Sequence, residues 1–296
     1  MKRSRILEEP WGRLRPTLSK YKTRWKQIPL RFQPVYYRSS VSNVYHCTTH
    51  KAGSQWIRAI LSDRRTYAYS GLLSYQYVDS LPGSVDPRRY GEKSFKEPFP
   101  PGTIATPCYF HHDDFAVLPK AGEYRAIFVV RDPRDILVSW YFSLRYSHGL
   151  MGNVAELRSQ LESHTIEDGF KFLTDYIDQF GVFRAMRSWL VAVDDPRVLV
   201  VRFEDLIDHS RAPEEFRKVF EHCDVGMPSD VIRRVLDTYS FKAMSGRNSG
   251  EEDQRSHYRK GTSGDWTNYL DSEAEEAVAA LAGDVIAGFG FDGRRD

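Results

Sequence analysis

Three short and nearly continuous apolar segments, each followed by a turn and a helical pattern, constrain the fold of this chain most strongly. The most apolar, Tyr124 to Arg131, reads Y-R-A-I-F-V-V-R, and the others are Asn43 to Thr48 and Val198 to Phe203. Strands that are apolar on both faces are typical of parallel sheets, because helices cover both sides of such sheets. The sequence therefore predicts an α/β fold, a single domain with a central parallel β-sheet flanked by helices.

Apolar residues at three- and four-residue spacing predict the helices between and after these strands. One helix is expected from Ser54 to Leu61, and Asp132-Pro133 opens a second. Glu167 to Val191 is predicted to form one long helix or a broken pair. Later helices are expected at Pro213 to His222, Pro228 to Asp237 and Ser272 to Ala287. The Gly-, Pro- and Ser-rich segment from Thr66 to Pro107 is predicted to be an irregular functional loop.

Composition excludes several classes of protein. The 296 residues include 41% apolar residues, which is enough for a large globular core without a stabilising metal or disulfide. Three widely spaced cysteines without a C-x-x-C pair support neither a disulfide framework nor a zinc cluster, so we expect a reducing, cytoplasmic compartment. No apolar run approaches the ~18 residues that span a bilayer, and no secretory signal is evident.

Residues 1 to 38 are strongly basic, with 11 Lys and Arg residues against two acidic residues. Such an arm can bind an anionic surface. It also contains Trp11, Leu14 and Trp25, which supply apolar surface for docking on the rest of the chain. We favour an arm packed on its own domain, with contact to a membrane surface as the alternative, and we expect no nucleic-acid partner.

Two motifs follow predicted strands, at the sheet edge where α/β proteins bind ligands. The first, T-T-H-K-A-G-S-Q-W from Thr48 to Trp56, combines a lysine with backbone amides at a helix start, an arrangement that favours an anion. It is not a Walker A loop, because its lysine precedes its glycine. The second, V-R-D-P-R-D-I-L-V-S from Val130 to Ser139, can direct Arg131 and Ser139 at a phosphate. Alternatively, its two arginines pair with its two aspartates as helix-start charges.

A third motif, R-K-G-T-S-G-D-W from Arg259 to Trp266, places two adjacent cations beside two glycines. It is interpreted either as a cationic loop that closes over a phosphate or as solvated surface. The three motifs together, in this order, resemble the signature of the cytosolic-type sulfotransferase family, over Val41 to Leu270. The resemblance implies a P-loop-containing nucleoside triphosphate hydrolase-like fold, with a basic arm over residues 1–38 and a catalytic domain over 39–296.

The family's donor is 3′-phosphoadenosine 5′-phosphosulfate (PAPS), which becomes 3′-phosphoadenosine 5′-phosphate (PAP), and no metal is implied. The resemblance implies that Lys51 and the following loop hold the 5′-phosphosulfate and that Lys51 stabilises charge on the departing oxygen. Trp56 would stack on the adenine. The implied ligands of the 5′ end are Lys51, Ala52, Gly53, Ser54 and Gln55. Those of the 3′-phosphate are Arg131, Ser139, Arg259, Lys260 and Gly261. Those of the adenine include Phe203, Phe241 and Met244. Tyr239 stands where the family has a threonine.

The implied catalytic base is a histidine. In the family this histidine precedes a proline by seven positions, a spacing that His112 and Pro119 reproduce, so His112 is preferred and His111 is the alternative. We expect a strand over Tyr109 to Asp113, in which only one of the two histidines faces the donor. Phe110 replaces a lysine of the family. The other histidines, including His50 and His257, are interpreted as ordinary residues.

The predicted activity is sulfuryl transfer to a hydroxyl or amine of a small-molecule, glycan or lipid acceptor. The loops Thr66 to Pro107 and Met151 to Thr165 are expected to shape the acceptor pocket. A nucleotide-dependent phosphoryl transferase and a catalytically weak nucleotide-binding protein of the same fold are the alternatives. Only Glu276 of the family's dimer motif is retained, so that dimer contact is not predicted.

Overall fold

Five parallel strands form a sheet in the order β2-β3-β1-β4-β5. The structure is a computed structural model that describes residues 29–81, 86–87, 89–91, 93–149 and 153–293. The strands are β1 (Asn43–Thr48), β2 (Leu73–Tyr75), β3 (Thr103–Cys108), β4 (Tyr124–Val130) and β5 (Val198–Arg202). Because all five run in the same direction, their carboxyl ends lie along one edge.

Helices connect the strands and cover the sheet. They are α1 (Ser54–Leu61), α2 (Arg64–Ala68), α3 (His112–Val117), α4 (Pro133–Phe142), α5 (Val154–Ser163), α6 (Ile166–Phe180), α7 (Val182–Ser188), α8 (Phe203–Ile207), α9 (Ala212–His222), α10 (Ser229–Thr238), α11 (Phe241–Ser245) and α12 (Ser272–Gly288). A π-helical turn, Ser143–Ser147, continues α4, and short 3-10 turns lie at Pro29–Phe32, Tyr77–Ser80, Trp189–Ala192 and Asp265–Asn268.

The sheet separates two apolar clusters, because successive strand residues point to opposite faces. Val44 and Ile127 belong to the cluster that packs against α1, α9 and α10. Their neighbours Tyr45 and Phe128 belong to the larger cluster with α4, α6, α7 and α12. There the ring of Phe128 stacks on Trp189 with centroids 4.7 Å apart. Burial on both faces explains why the central strands are nearly continuous apolar runs.

The predicted strands and helices are largely confirmed. β1 and α1 have the predicted bounds. β4 ends at Val130, and β5 ends at Arg202 because Phe203 already begins α8. The predicted helix from Glu167 to Val191 is a broken pair, since Gly181 adopts φ 90° between α6 and α7.

The prediction of an irregular loop from Thr66 to Pro107 is correct only in part, because that segment contains β2 and most of β3, whereas residues 93–102 form no helix or strand. Pro107 is an unusual strand residue, since a proline cannot donate to a sheet ladder. In the structure β2 pairs with β3 only as far as Ala105. The pairing of β1 with β3 shifts register between Tyr45 and Cys47, next to the proline. The missing donor therefore falls at an irregularity, where it interrupts no regular pairing.

The expected strand over Tyr109 to Asp113 is also wrong. β3 ends at Cys108, and α3 begins at His112. Asp113 and Asp114 lie in the first turn of α3, where carboxylates stabilise the positive end of a helix. The argument that alternate residues of a strand face opposite ways therefore does not apply to the two adjacent histidines.

Two further predictions concern segments that the structure describes only in part. Within Met151 to Thr165 it describes α5, so most of that predicted loop is helical. The basic arm, residues 1–38, lies outside the described residues as far as position 28, and its role stays a prediction.

Candidate active site

A cavity of about 800 Å³ opens at the carboxyl edge of the sheet. Segments that follow four of the strands contribute to its wall: the loop after β1, Tyr109 after β3, Arg131 after β4 and Phe203 after β5. The loop at 257–262 lines it as well. Ligands of α/β sheets bind at this edge, and the volume lies within the ~300–1,000 Å³ usual for small-molecule sites.

The loop between β1 and α1 turns sharply at two residues with positive φ. Lys51 has φ 66° and Gly53 has φ 74°. A side chain on Gly53 would place its Cβ 2.4 Å from Cε2 of Phe203, so glycine is required both by the turn and by this ring. Because α1 begins at Ser54, its first backbone N–H groups lie beside the cavity, where they favour an anion.

Lys51 is held at the wall by the end of α4. Its Nζ donates a hydrogen bond to Oγ of Ser143 at 2.5 Å and lies 5.8 Å from the centre of the Trp140 ring. Burial, together with the nearby positive charge of Arg131, lowers the pKa of Lys51 from 10.5 to about 8. A buried lysine whose charged form is disfavoured in this way indicates a site that takes an anion.

Arg131 is fixed at the tip of β4. It is only 9% exposed, its Nη1 donates to the carbonyl of Lys51 at 3.0 Å, and its guanidinium lies 4.8 Å from the centre of the Phe203 ring. Asp135 is 3.7 Å away, which is a loose ion pair. Nε of Arg131 is buried without a hydrogen-bond partner among the described residues. Ser139, two turns along α4, lines the same cavity.

The alternative reading of this motif holds for its second arginine. Arg134 pairs with Asp132, the residue that caps α4, at 2.7 Å. Its guanidinium stacks 3.8 Å from the centre of the Trp266 ring. Arg134 therefore joins the start of α4 to the third motif, while Arg131 lines the cavity.

The loop Arg259 to Trp266 packs against α4 and is held there by hydrogen bonds. The Asp135 carboxylate accepts hydrogen bonds from the backbone N–H groups of Gly264 and Trp266, at 2.7 and 3.0 Å. A Cβ on Gly261 would lie 2.4 Å from Phe241, so this loop closes tightly on α11. The solvated-surface alternative for this motif is thus not supported.

Carboxylates already pair with the two cations of this loop. Arg259 forms ion pairs with Glu252 and Asp265, and its side chain is 13% exposed. Lys260 donates to the same Asp265 at 2.5 Å. Both cations line the cavity, and a bound phosphate would compete with Glu252 and Asp265 for them.

Another part of the cavity wall is lined mainly by aromatic side chains. Trp56 donates from Nε1 to the carbonyl of Tyr239 at 2.8 Å, and its ring meets that of Phe203 edge-on at 6.1 Å. Phe241 and Met244 complete the predicted apolar set at this end. The hydroxyl of Tyr239, the residue that departs from the family pattern, donates to Asp63 at 3.0 Å.

Glu204, the residue after Phe203, supports the same wall. Its Oε1 accepts the backbone N–H of Asp132 at 3.0 Å, and its Oε2 is buried without a partner among the described residues. Burial raises the pKa of this carboxyl from 4.5 to about 7. The N-terminus of α4 is therefore hydrogen-bonded to a carboxyl group whose pKa lies near neutral pH.

The structure does not bring His111 or His112 to the cavity wall. The backbone N–H of His112 donates to Ser188 at 2.9 Å, and its ring packs on Trp189 with centroids 5.1 Å apart. His111 is 8% exposed and lies near Tyr90. The ring of His112 thus packs on the larger apolar cluster, to which Trp189 belongs.

A family model described as "Sulfotransferase domain" matches residues 42–290. The chain belongs to this sulfotransferase family. A "Flavonol sulfotransferase-like" protein of Flaveria bidentis is 23% identical over 279 residues, covering 86% of this chain and 85% of the relative. A "3-alpha-hydroxysteroid sulfotransferase" of Cavia porcellus is 28% identical over 199 residues, covering 61% of this chain and 63% of the relative.

Among solved structures, that of mouse sulfotransferase SULT7A1 complexed with PAP covers 88% of this chain and 91% of its own, with a TM-score of 0.56 at 16% identity. That likeness confirms the P-loop-like fold, a parallel sheet flanked by helices. The sulfotransferase domain thus includes all three motifs from which the resemblance was drawn.

Several wall residues of this sulfotransferase escaped the sequence analysis: His50, Tyr109, Trp140, Ser143 and His257. The position of His50, directly before Lys51 in a quoted motif, was the one available signal. In the described part of the chain no three His, Cys, Asp or Glu residues form a group that could hold a metal, and no helix is long and apolar enough to cross a membrane. The three cysteines are buried free thiols.

Proposed function

We propose that this sulfotransferase transfers the sulfuryl group of PAPS to a hydroxyl group of a small acceptor. The observation that carries the proposal is the convergence of the three motifs on one cavity. Lys51, Arg131 and the 259–261 loop supply cations at its walls, and Trp56 and Phe203 supply a flat apolar end. A nucleotide with a phosphate at each side of its ribose and a planar base matches this distribution of charge and apolar surface.

The residues present fit such a donor. Two glycines, Gly53 and Gly261, close on aromatic rings so tightly that a Cβ would clash. Arg131 keeps a buried Nε without a partner among the described residues, and therefore retains a donor for a phosphate. Bound PAPS would supply an activated sulfuryl group with PAP as the leaving group.

The chain's own residues would then do three things. Arg131, Ser139 and the 259–261 loop would bind the 3′-phosphate, while Trp56 would orient the adenine. Lys51 and the first N–H groups of α1 would stabilise negative charge that grows on the departing oxygen. Because that charge is largest in the transition state, Lys51 should contribute more to the transfer rate than to PAP affinity.

The names of the relatives suggest where to look for the acceptor. One is called flavonol sulfotransferase-like and another acts, by its name, on a 3-alpha-hydroxysteroid. Both acceptors are hydroxyl compounds with fused rings. We therefore propose a planar or polycyclic alcohol or phenol as the first acceptor class to test on this chain.

The test is product formation from PAPS with a panel containing a flavonol, a 3-hydroxysteroid and a simple phenol, followed by mass spectrometry. A parallel reaction contains ATP and magnesium. Lys51→Met is the site variant, and Lys218→Met, an exposed lysine paired with Glu215 on α9, is its matched control. Sulfated product from the wild type and the control, with strong loss in Lys51→Met, is expected.

Two results would contradict this proposal. Phosphate transfer from ATP without sulfation would favour the phosphoryl-transferase alternative. Tight PAP binding without sulfation of any panel member would favour a nucleotide-binding protein that is catalytically weak.

A further inference from the structure

A carboxylate already occupies the arginine of the third motif that is proposed to bind the donor's 3′-phosphate. Nη1 of Arg259 donates to Oε1 of Glu252 at 2.5 Å, while Nη2 pairs with Asp265. The guanidinium also lies 4.5 Å from the centre of the Phe142 ring. Arg259 is a wall residue of the cavity, and Glu252 is not. A phosphate that reaches Arg259 therefore meets a cation whose charge is already neutralised from behind.

Backbone pairing holds Glu252 opposite Arg259. Glu252 lies in a segment without helix or strand that runs beside the third motif. The N–H of Gly250 donates to the carbonyl of Lys260, and the N–H of Asp253 donates to that of Arg259, both at 2.9 Å. These two bonds flank Glu252 and set the register between the two segments. The contact between carboxylate and guanidinium thus follows from the path of the chain.

The Tyr269 hydroxyl supports the same carboxylate. It lies 3.0 Å from each of the two oxygens of Glu252 and donates its proton to them. Burial, together with this hydrogen bond, raises the pKa of the Tyr269 phenol from 10.0 to about 12. The phenol therefore remains a proton donor at neutral pH. Glu252 keeps this partner even if Arg259 is taken by another anion, which lowers the cost of the exchange.

The second carboxylate on Arg259, Asp265, is part of the loop's own structure. Its side chain is 2% exposed, against 25% for that of Glu252. It accepts hydrogen bonds from Lys260 at 2.5 Å and from Asn268 at 3.0 Å, and it begins the 3-10 turn at the end of the motif. Asp265 cannot leave without dismantling that turn. Glu252 is the carboxylate that can move aside.

The charges of this cluster cancel in the free protein. Two cations, Arg259 and Lys260, pair with two carboxylates, Glu252 and Asp265. A 3′-phosphate would bring about two further negative charges to this neutral group. Its attraction to Arg259 must then offset both the lost ion pair and the repulsion from any carboxylate that stays nearby. Withdrawal of Glu252 leaves two cations and one carboxylate, a net positive charge that suits an anion.

We propose that Glu252 is a positioning residue that sets the affinity for the 3′-phosphate by competing with it for Arg259. This inference rests on the proposed function. When PAPS binds, the phosphate takes Arg259 and the carboxylate turns to Tyr269 and solvent. When PAP leaves, the carboxylate returns to Arg259 and offsets part of the lost phosphate contact. Glu252 thus weakens the binding of PAPS and PAP alike and favours release of the product.

The experiment measures, by calorimetry, the Kd of PAP and of adenosine 5′-phosphate for the wild type and for Glu252→Gln. Glutamine keeps an oxygen for Arg259 and Tyr269 and removes only the charge. We expect PAP to bind ~3- to 30-fold more tightly to this variant, because the charged competitor is gone. Adenosine 5′-phosphate, which lacks the 3′-phosphate, should change less than about twofold in affinity.

Glu251→Gln is the matched control. It removes the same charge from the adjacent residue, whose carboxylate accepts a hydrogen bond from Asn248 at 2.8 Å instead. PAP affinity of this control should change less than about twofold. In an Arg259→Ala background, Glu252→Gln should no longer tighten PAP binding, because the carboxylate acts through Arg259.

A kinetic comparison separates this role from a structural one. Product inhibition by PAP should strengthen in Glu252→Gln by the same factor as PAP affinity. The single-turnover sulfation rate at saturating PAPS should change less than about twofold, because the 3′-phosphate keeps its contacts while the bonds to sulfur form and break.

Unchanged or weaker PAP binding in Glu252→Gln would overturn the inference. Equal tightening in Glu251→Gln, or equal tightening of adenosine 5′-phosphate, would also overturn it, since either result would show a general effect of charge. All of these outcomes leave sulfuryl transfer intact. A wild type that neither binds PAP nor sulfates any acceptor would overturn the proposed function, and this inference with it.

Discussion

The lowered pKa of Lys51 predicts that PAP binding takes up a proton. In the free protein the ammonium has a pKa of about 8, against 10.5 for an ordinary lysine. That difference corresponds to roughly 3 kcal/mol of unfavourable free energy for the charged form. An anionic ligand offsets this cost, so the pKa of Lys51 should return to its ordinary range, or above it, in the complex.

The magnitude follows from these values. At pH 9 only about a tenth of the free protein carries a charged Lys51, whereas nearly all of the complex would, so about 0.9 proton should enter per PAP bound. At pH 7 the uptake at this residue should be about 0.1 proton, because Lys51 is already charged. PAP affinity should accordingly weaken as the pH rises above 8, approaching tenfold per pH unit.

Isothermal titration calorimetry in two buffers of different ionisation enthalpy measures the uptake directly. Lys51→Met should bind PAP more weakly and should lose the uptake at pH 9. Lys120→Met is the control, since the pKa of Lys120 is also lowered to about 8, although it lies over the rings of Tyr45 and Phe115, outside the cavity wall. Equal uptake by the wild type and Lys51→Met would refute the reasoning.

Three further predictions concern the groups around Lys51. Arg131→Ala should weaken PAP binding by about 10- to 100-fold and leave adenosine 5′-phosphate binding nearly unchanged, as calorimetry with both nucleotides would show. Asp135→Ala should lower the free energy of unfolding by about 2–4 kcal/mol in urea titrations, because it leaves two backbone N–H groups of the 259–266 loop unpaired, and PAP affinity should fall with it. The pKa of Glu204 is raised from 4.5 to about 7, so the folded state binds more protons between these values and this carboxyl costs stability as the pH rises through them. Glu204→Gln should therefore stabilise the protein by about 1–3 kcal/mol at pH 8 and hardly at all at pH 4.5, and equal effects at both pH values would contradict this assignment.

The sequence was most informative where local and tertiary preferences agree. β1 and α1 have the predicted bounds because an apolar strand, a glycine turn and an amphipathic helix follow one another without conflict. β3 was missed because its residues T-I-A-T-P-C include a proline and end a segment rich in Gly, Pro and Ser. Pairing with β1 and β2 overrides that weak preference, and pairing partners distant in sequence cannot be read from a local pattern.

Only part of the candidate site could be predicted from local sequence patterns. Lys51 and Arg131 come just after β1 and β4, so strand direction alone brings them to one edge. Distant pairings such as that of Tyr90 with His50 depend on how a long segment folds back over the sheet. His112, chosen by its spacing to Pro119, does not line the cavity, and the segment expected to be a strand leads into α3 instead. Its role as the base stays a prediction.

The central claim is that one cavity both recognises the 3′-phosphate of the donor and carries out sulfuryl transfer. The most direct measurement is the rate of sulfated product formation from PAPS and from adenosine 5′-phosphosulfate, which lacks that phosphate, with the same hydroxyl acceptor. We expect turnover with PAPS and a kcat/KM at least about 100-fold lower without the 3′-phosphate, from the loss of charge-assisted contacts to Arg131 and the 259–261 loop. Equal turnover with both donors would contradict the account.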